Sequence, residues 1–237
     1  MTAGNVQKLI RGIQAILGDL MMSVDPTAKI YERVRFLGEA VISEFAIVGK
    51  PSRPSLGNLK TEPEELETII GDKVYVGPYS MIEAGATIGA GTLIEDRTTV
   101  EEKVTIGTGC IVGRGGRIEA SAIIDNSSVI RGFVAERSKI GKDCRVFGML
   151  LHAYRQPGVP WDEQVEQAPV VDNFAVIAFG SLVIGNVRIG ANAYVASGAI
   201  VTKNVPKNHI ATGTNNFTPI AKWSGRLGFN LAKTKKA

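Results

Sequence analysis

Aliphatic residues recur at every sixth position along most of the chain. The series has no gap over 70–130, shifts there by a four-residue step, and continues to Val146. It resumes over 171–201 and can be traced backwards over 24–48, which makes 25 hexads in all. An amphipathic helix would place apolar residues three and four apart, and a half-buried strand would alternate by two, so this period predicts neither.

The position four residues after each aliphatic residue mostly holds a small or narrow side chain, such as Ser80, Ala86, Thr92 and Cys110. We interpret each hexad as a short strand that ends in a corner, with the aliphatic side chain inside and the small residue where the chain bends. Gly, Asn or Asp supplies the unusual backbone angles of such corners. Three hexads close one triangular coil, and stacked coils pair their strands in parallel. The 25 hexads therefore predict about eight coils.

This pattern resembles the hexapeptide-repeat acyltransferases, whose fold is a left-handed parallel β-helix. The resemblance covers roughly residues 24–216 and implies an all-β solenoid of about eight triangular coils. We expect the β-helix itself over 24–206. Apolar residues at helical spacing predict an N-terminal helical cap over 1–23, and 207–237 is expected to form a short helical or irregular C-terminal cap with a basic tail.

The composition agrees with a core of small aliphatic side chains. Of 237 residues, 44% are hydrophobic but only 6% are aromatic. Cys110 and Cys144 both fall at the small inward position, so we expect buried thiols rather than a disulfide or a reactive site. The net charge of +4 is dispersed apart from the tail LAKTKKA, so nucleic-acid binding is not expected. The N-terminus lacks signal-peptide zones and no apolar run is long enough to span a membrane, so a cytoplasmic protein is expected.

Two long interruptions break the repeat, and we predict that both are loops extruded from the β-helix. The first, over 51–69, is rich in proline and charge. The second, over 151–169, contains His152, one of only two histidines in the chain. Because loops that leave a rigid scaffold commonly carry function, the second loop is the candidate site.

The resemblance sharpens in the segment VASGAIVTKNVPKNHIATG, residues 195–213. It is similar to a segment of the sugar and xenobiotic O-acetyltransferase branch, which follows a loop histidine at a similar spacing. The resemblance implies that His152 is the catalytic base. It also implies that acetyl-CoA is held by the backbone of Phe179 and by Ser197, Thr202 and Lys203. The chain departs from the family pattern after Gly213, where it reads Thr-Asn-Asn.

The chemistry of acyl transfer supports a histidine base independently of the resemblance. Attack of a hydroxyl on a thioester requires removal of the hydroxyl proton, which a neutral imidazole can accept. The developing oxyanion requires a donor, either a backbone N–H at a corner or the amide of Asn126. Asp162 or Glu163 could orient the imidazole, and the spacing does not choose between them. We expect acceptor contacts from the polar and aromatic side chains of the same loop, namely Tyr154, Arg155, Trp161 and Asp162.

The hypothesis from the sequence is an acyltransferase that uses acetyl-CoA and acts on a hydroxyl or amine of a small sugar or nucleotide-sugar acceptor. The resemblance further implies a homotrimer with sites between subunits. Two alternatives are a non-catalytic β-helix scaffold and a zinc hydratase similar to γ-type carbonic anhydrase. The hydratases bind zinc through three histidines, whereas this chain has two, so no metal is expected.

Overall fold

Three parallel β-sheets wind around one column of aliphatic side chains. The computed structural model describes residues 22–51, 66–153 and 167–222. Most of the predicted N-terminal helix lies outside these residues, and so do Tyr154, Arg155, Trp161, Asp162 and Glu163. No helix within the described ranges has the length and apolar character that a membrane span requires.

The strands are two to four residues long and follow one another around the prism. In chain order they are β1 Ser23–Val24, β2 Lys29–Ile30, β3 Val34–Phe36, β4 Ala40–Ile42, β5 Ile47–Lys50, β6 Thr68–Ile70, β7 Val74–Val76, β8 Met81–Glu83, β9 Thr87–Ile88, β10 Leu93–Ile94, β11 Thr99–Val100, β12 Thr105–Ile106, β13 Ile111–Val112, β14 Arg117–Ile118, β15 Ile123–Ile124, β16 Val129–Ile130, β17 Phe133–Val134, β18 Lys139–Ile140, β19 Arg145–Val146, β20 Met149–Leu151, β21 Val170–Val171, β22 Val176–Ile177, β23 Leu182–Ile184, β24 Arg188–Ile189, β25 Tyr194–Val195, β26 Ile200–Val201, β27 His209–Thr212 and β28 Asn216–Pro219.

Each strand from β4 to β23 pairs in parallel with the strands three places before and after it, so every coil adds one strand to each sheet. The first sheet begins with β1, the second with β2 and the third with β3. The third sheet has eight strands, which corresponds to eight complete coils. The predicted parallel β-helix of about eight coils is confirmed.

The described part of the C-terminal cap is a β-hairpin with one helical turn. Strand β27 pairs in parallel with β25 at the end of the first sheet, and β28 pairs antiparallel with β27. A 3-10 turn follows at Ile220–Lys222. The hairpin adds two strands beyond the last complete coil and covers that end of the first sheet.

The predicted inward placement of the aliphatic residues is clear along the third sheet. Ile106, Ile124 and Ile140 lie in register on successive coils of the third sheet, and all three are buried. Their neighbour Ile123 points outward and is 44% exposed. The main core is therefore one continuous column, because each coil stacks its aliphatic side chains on those of the coil before. A small second cluster is formed by Ile111 and Val129.

The small inward residues do more than fit a crowded corner. The Ser80 and Thr92 hydroxyls each donate a hydrogen bond of 2.8 Å to a backbone carbonyl of the adjacent coil, and the Cys110 thiol donates at 3.2 Å to the Asp125 carbonyl. The Cys144 thiol donates at 3.1 Å to the Asp172 carbonyl. Ser, Thr and Cys at this position thus donate hydrogen bonds to buried carbonyl groups, which an alanine side chain could not do.

The repeat extends one strand further than its six-residue period predicts. Val146 is the last predicted aliphatic position before the second loop, but a further four-residue step places Leu150 inside the core, fully buried in β20. The two four-residue steps stack at Gly132 and Gly148, where a Cβ on Gly132 would overlap the Gly148 carbonyl oxygen. Strand β20 ends at Leu151, so His152 directly follows a strand.

The two cysteines provide a test of the buried column. Burial raises the pKa of the Cys110 thiol from its ordinary 9.0 to about 11, and that of the Cys144 thiol to about 12. We expect neither to react with a thiol reagent in the native protein at pH 8, and both to react after denaturation in urea. Rapid labelling of the native protein would contradict the inward placement.

The same pKa shifts predict alkaline destabilisation. The folded protein holds each thiol proton to a higher pH than the unfolded chain does. The stabilisation is therefore complete below about pH 9 and is lost as the pH rises towards about 11. Urea denaturation midpoints measured across this range, with Cys110→Ser and Cys144→Ser as controls, would show a smaller alkaline loss in the variants.

Candidate active site

The three edges of the prism organise the predicted site residues. We call edge 1 the corner that follows each strand of the first sheet, edge 2 the corner after the second sheet, and edge 3 the corner after the third. His152 lies on edge 2, directly after β20. Thr202 and Lys203 lie on the same edge, directly after β26.

The imidazole of His152 is held by the preceding coil. Its Nε2 lies 3.0 Å from the carbonyl oxygen of Glu136. Because a carbonyl oxygen only accepts hydrogen bonds, Nε2 carries the hydrogen in this arrangement, and the neutral ring would take a proton at Nδ1. Nδ1 is buried, so an acceptor reaches it only when the ring turns outward.

A cavity of about 450 Å³ opens beside His152 on edge 2. Its described walls contain three carboxylates and four other side chains, which are Glu101, Glu119, Glu136, Phe133, Ala135, Leu151 and His152. Val100, Ile118, Val134 and Leu150 lie in register on four successive coils. Because Glu101 and Glu119 directly follow two of these strands, their carboxylates project on neighbouring coils, about 4.8 Å apart along the prism axis.

The carboxylates of this cavity interact with one another and with nearby arginines. The guanidinium of Arg117 lies 2.7 Å from Glu101 and 3.6 Å from Glu119. Glu119 also accepts a hydrogen bond of 3.3 Å from the backbone N–H of Glu136. Burial raises the pKa of the Glu119 carboxyl, and the negative charges of Glu101 and Glu136 raise it further. The hydrogen bond from the Glu136 N–H and the positive charge of Arg117 lower this pKa, but by less.

A second cavity of about 370 Å³ continues along edge 2 towards the N-terminal coils and shares Glu101 with the first. It is lined by Lys50, Glu83, Glu102 and Arg117, among others. Glu83 is only 8% exposed and pairs with Lys50 at 3.3 Å. Burial is the main cause of a raised pKa at the Glu83 carboxyl. We call the two cavities together the edge 2 groove.

The glutamates of the edge 2 groove are functional candidates that the sequence reasoning missed. Glu83, Glu101 and Glu119 are spaced by 18 residues, which is three hexads and therefore one complete coil. Reading every third hexad together would have revealed this row. The six-residue period hides it, because each hexad is compared with neighbours that lie on other sheets.

Thr202 and Lys203 occupy the same register positions as Leu151 and His152, two coils further on, since Leu150 pairs with Val183 and Val183 with Val201. Two coils correspond to about 10 Å along the axis. Thr202 is fixed by Asn215, whose side-chain oxygen accepts from the Thr202 N–H at 2.9 Å and whose Nδ2 donates to Thr202 Oγ1 at 2.9 Å. Asn215, which belongs to the segment after Gly213 where the chain departs from the family pattern, thus stabilises Thr202.

Phe179 and Ser197 lie on edge 1, on the other side of the second sheet. The Phe179 ring is 62% exposed and stacks on Phe147, with ring centroids 4.7 Å apart and planes 8° from parallel. The Phe179 carbonyl accepts a hydrogen bond of 3.2 Å from the Gly198 N–H. The four predicted acetyl-CoA residues are therefore divided between the two edges that border the second sheet.

Asn126 lies on edge 3, so a single chain does not bring it to His152. Its side-chain oxygen accepts a hydrogen bond of 2.9 Å from the Thr108 backbone N–H. Asn173 makes the equivalent contact two coils further on, at 3.1 Å from the Lys142 N–H. This repetition indicates that Asn126 stabilises stacked corners of edge 3.

Within the described parts of the chain, no group of three His, Cys, Asp or Glu side chains is arranged to hold a metal ion. His209, the second histidine, lies in β27 rather than on edge 2, and its Nδ1 is 2.9 Å from the Lys207 carbonyl oxygen.

Comparison with known proteins identifies the repeat. Residues 67–102 match the family described as bacterial transferase hexapeptide (six repeats). These residues therefore carry the hexapeptide repeat. The resemblance seen in the sequence is thereby confirmed at the level of the repeat, and the matched residues include β6 to β11 of the solenoid.

Relatives of this hexapeptide-repeat protein match short parts of it. A provisionally named serine acetyltransferase of Schizosaccharomyces pombe is 39% identical over 61 residues, which is 25% of this chain and 23% of that protein. The bifunctional protein GlmU of Caldicellulosiruptor saccharolyticus is 38% identical over 65 residues, 27% of this chain and 14% of that protein. The chain therefore spans less than a quarter of the length of either relative.

Among solved structures, the hexapeptide-repeat solenoid is similar to the UDP-N-acetylglucosamine acyltransferase of Arabidopsis. The similarity covers 81% of this chain and 71% of that one, at 16% sequence identity and a TM-score of 0.47.

Proposed function

We propose that this hexapeptide-repeat protein is an acyltransferase that uses acetyl-CoA and acts on a hydroxyl or amine of a small, sugar-like acceptor. The observation that carries the proposal is the position of His152, which stands at the wall of the edge 2 groove with its Nε2 held by the Glu136 carbonyl. The repeat family, named for transferases, supports the same chemistry.

His152 acts as the general base in this proposal. When the ring turns outward, Nδ1 accepts the proton of the acceptor hydroxyl as the acceptor oxygen bonds to the acyl carbon. The bond from that carbon to sulfur then breaks, and His152 returns the proton to the departing thiolate. Before the ring turns, the Glu136 carbonyl accepts a hydrogen bond from Nε2–H and so keeps the hydrogen on Nε2, which leaves Nδ1 as the basic nitrogen.

Acetyl-CoA supplies the activated acyl group as a thioester. Lys203 is exposed and cationic, as a contact with CoA phosphates requires. Thr202, Ser197 and the exposed Phe179 add polar and apolar contacts on the two sides of the second sheet. These four residues would hold the donor, and Tyr154, Arg155, Trp161 and Asp162 would contact the acceptor.

We further propose a homotrimer in which each site lies between two subunits. Asn126 lies on edge 3, away from His152, and could serve as an oxyanion donor only from a neighbouring subunit. Backbone N–H groups at the corners of edge 2 are the donors within one chain. We also propose that the protein is cytoplasmic.

Calorimetric titration of CoA, followed by thioester consumption with a panel of sugar and amine acceptors, tests the function. We expect saturable CoA binding and turnover with at least one acceptor. Absence of CoA binding at millimolar concentration would instead support a non-catalytic scaffold.

Lys203→Met is expected to weaken CoA binding about tenfold, because it removes a charge-assisted contact with phosphate. The matched control is Lys139→Met, which removes an exposed lysine from the outer face of the third sheet. Calorimetry of both variants checks the prediction, and equal affinities would remove Lys203 from the donor site.

A further inference from the structure

We propose that the edge 2 groove selects acceptors that carry no negative charge near the reacting group, and that Glu101 and Glu119 enforce this selection. The inference rests on the proposed function, because it assigns the acceptor to the groove beside His152. It names the substrate class more closely, as neutral or cationic polyhydroxylated compounds such as neutral sugars and amino sugars.

The composition of the groove walls is the first step. Among the described residues that line the cavity beside His152, three are glutamates and none is lysine or arginine. The adjoining cavity adds Glu83 and Glu102, together with Lys50 and Arg117. Among the described side chains, an acceptor that extends from His152 along edge 2 therefore meets carboxylates before it meets a cation.

The arginines beside the groove do not reverse this pattern. Arg117 contacts Glu101 and Glu119 at once, so one positive charge is shared by two carboxylates. Arg137 pairs with Glu136 at 3.2 Å. Both Arg117 and Arg137 are thus engaged with carboxylates of the first cavity.

The partial burial of the carboxylates makes the selection effective. Burial raises the pKa of Glu119, and nearby negative charges raise it further, so the pocket already disfavours the charge that it holds. An anionic acceptor placed there is repelled by the carboxylates, and water screens this repulsion poorly. Like charges that face each other across an interface strongly disfavour binding of the wrong partner. Hydroxyl and ammonium groups instead donate hydrogen bonds to carboxylate oxygens.

The shape of the groove comes from small residues between the acidic ones. Ala120 and Ala135 line it where longer side chains would fill the corners. Because the glutamates lie on neighbouring coils about 4.8 Å apart, adjacent hydroxyls or amines of one sugar can reach two carboxylates. The spacing thus suits a ring with several donors rather than a single charged group.

The test uses three acceptors with the same ring and different charge: a methyl glucoside, a methyl glucosaminide and a methyl glucuronide. We expect the neutral and cationic compounds to exceed the anionic one by about tenfold or more in kcat/KM. In the Glu101→Gln Glu119→Gln double variant the discrimination should fall by about tenfold, since the charges are removed while most of the side-chain volume remains.

Glu39→Gln is the matched control, because Glu39 is exposed and lies on edge 3, in the corner between β3 and β4. It should leave the ratio unchanged. Equal use of the anionic acceptor, or a ratio that the double variant does not change, would overturn the inference.

Equilibrium binding of the same three compounds, measured by ligand-observed NMR, separates this inference from the proposed function. If no acceptor is turned over, the proposed function fails, and the binding order still decides the charge selection. Tighter binding of the glucuronide than of the other two compounds, or no binding of any of them, would refute it.

Discussion

His152→Ala is expected to lower kcat for acyl transfer to a hydroxyl acceptor by about 10²–10⁴-fold, the usual contribution of a general base. CoA affinity should remain unchanged, because the predicted donor residues lie on edge 1 and two coils further along edge 2. A loss confined to kcat would show that the histidine acts in the chemical step rather than in donor binding. Thioester consumption and CoA calorimetry on the same preparations provide the two measurements.

The second histidine provides a matched control for this experiment. His209 lies in β27, and its Nδ1 contacts the Lys207 carbonyl rather than the groove. His209→Ala should retain parental kcat. Undiminished transfer in the His152 variant would remove the base role, as would an equal loss in both variants. If amine acceptors react without a base, the His152→Ala variant will lose activity with hydroxyl acceptors only.

Ile124→Ala is expected to lower the free energy of unfolding by about 2–5 kcal/mol, because it removes a fully buried side chain and leaves a cavity. Ile124 is 1% exposed and lies between Ile106 and Ile140 in the aliphatic column. The rigid stack of coils limits how far its neighbours can collapse into the space. Urea denaturation followed by circular dichroism measures the change.

The adjacent residue is the control for this prediction. Ile123 is the same residue type in the same strand, but it points outward and is 44% exposed. Ile123→Ala should cost less than about 1 kcal/mol, since surface substitutions usually change stability little. A similar loss at both positions would contradict the alternation of inward and outward residues that defines the fold.

Much of the fold could be predicted from the sequence because each hexad is a local unit. An aliphatic residue and a small residue four positions later specify one strand and one corner, as Ile106 and Cys110 illustrate. Repetition of this unit then predicts the column, the parallel pairing and the number of coils. Leu150 was missed because it follows a four-residue step, which a search at a fixed period of six does not register.

The candidate site could be predicted only in part. The sequence singled out His152 at an interruption and Thr202 and Lys203 within 195–213, and the structure places these three residues on edge 2. The hydrogen bond from His152 to the Glu136 carbonyl could not be foreseen, because it joins two coils through a backbone atom that any residue would supply. The row of glutamates from Glu83 to Glu119 appears only when residues 18 apart are compared.

The sequence by itself determined which side chains fill the interior and how many coils they build, because those choices depend on side-chain volume within six residues. Only the tertiary structure decided which residues share an edge. Edge membership depends on the number of residues between two positions, which the short steps at Gly132 and Gly148 change. Closing the coils placed His152 and the glutamates together on edge 2, and left Asn126 on edge 3.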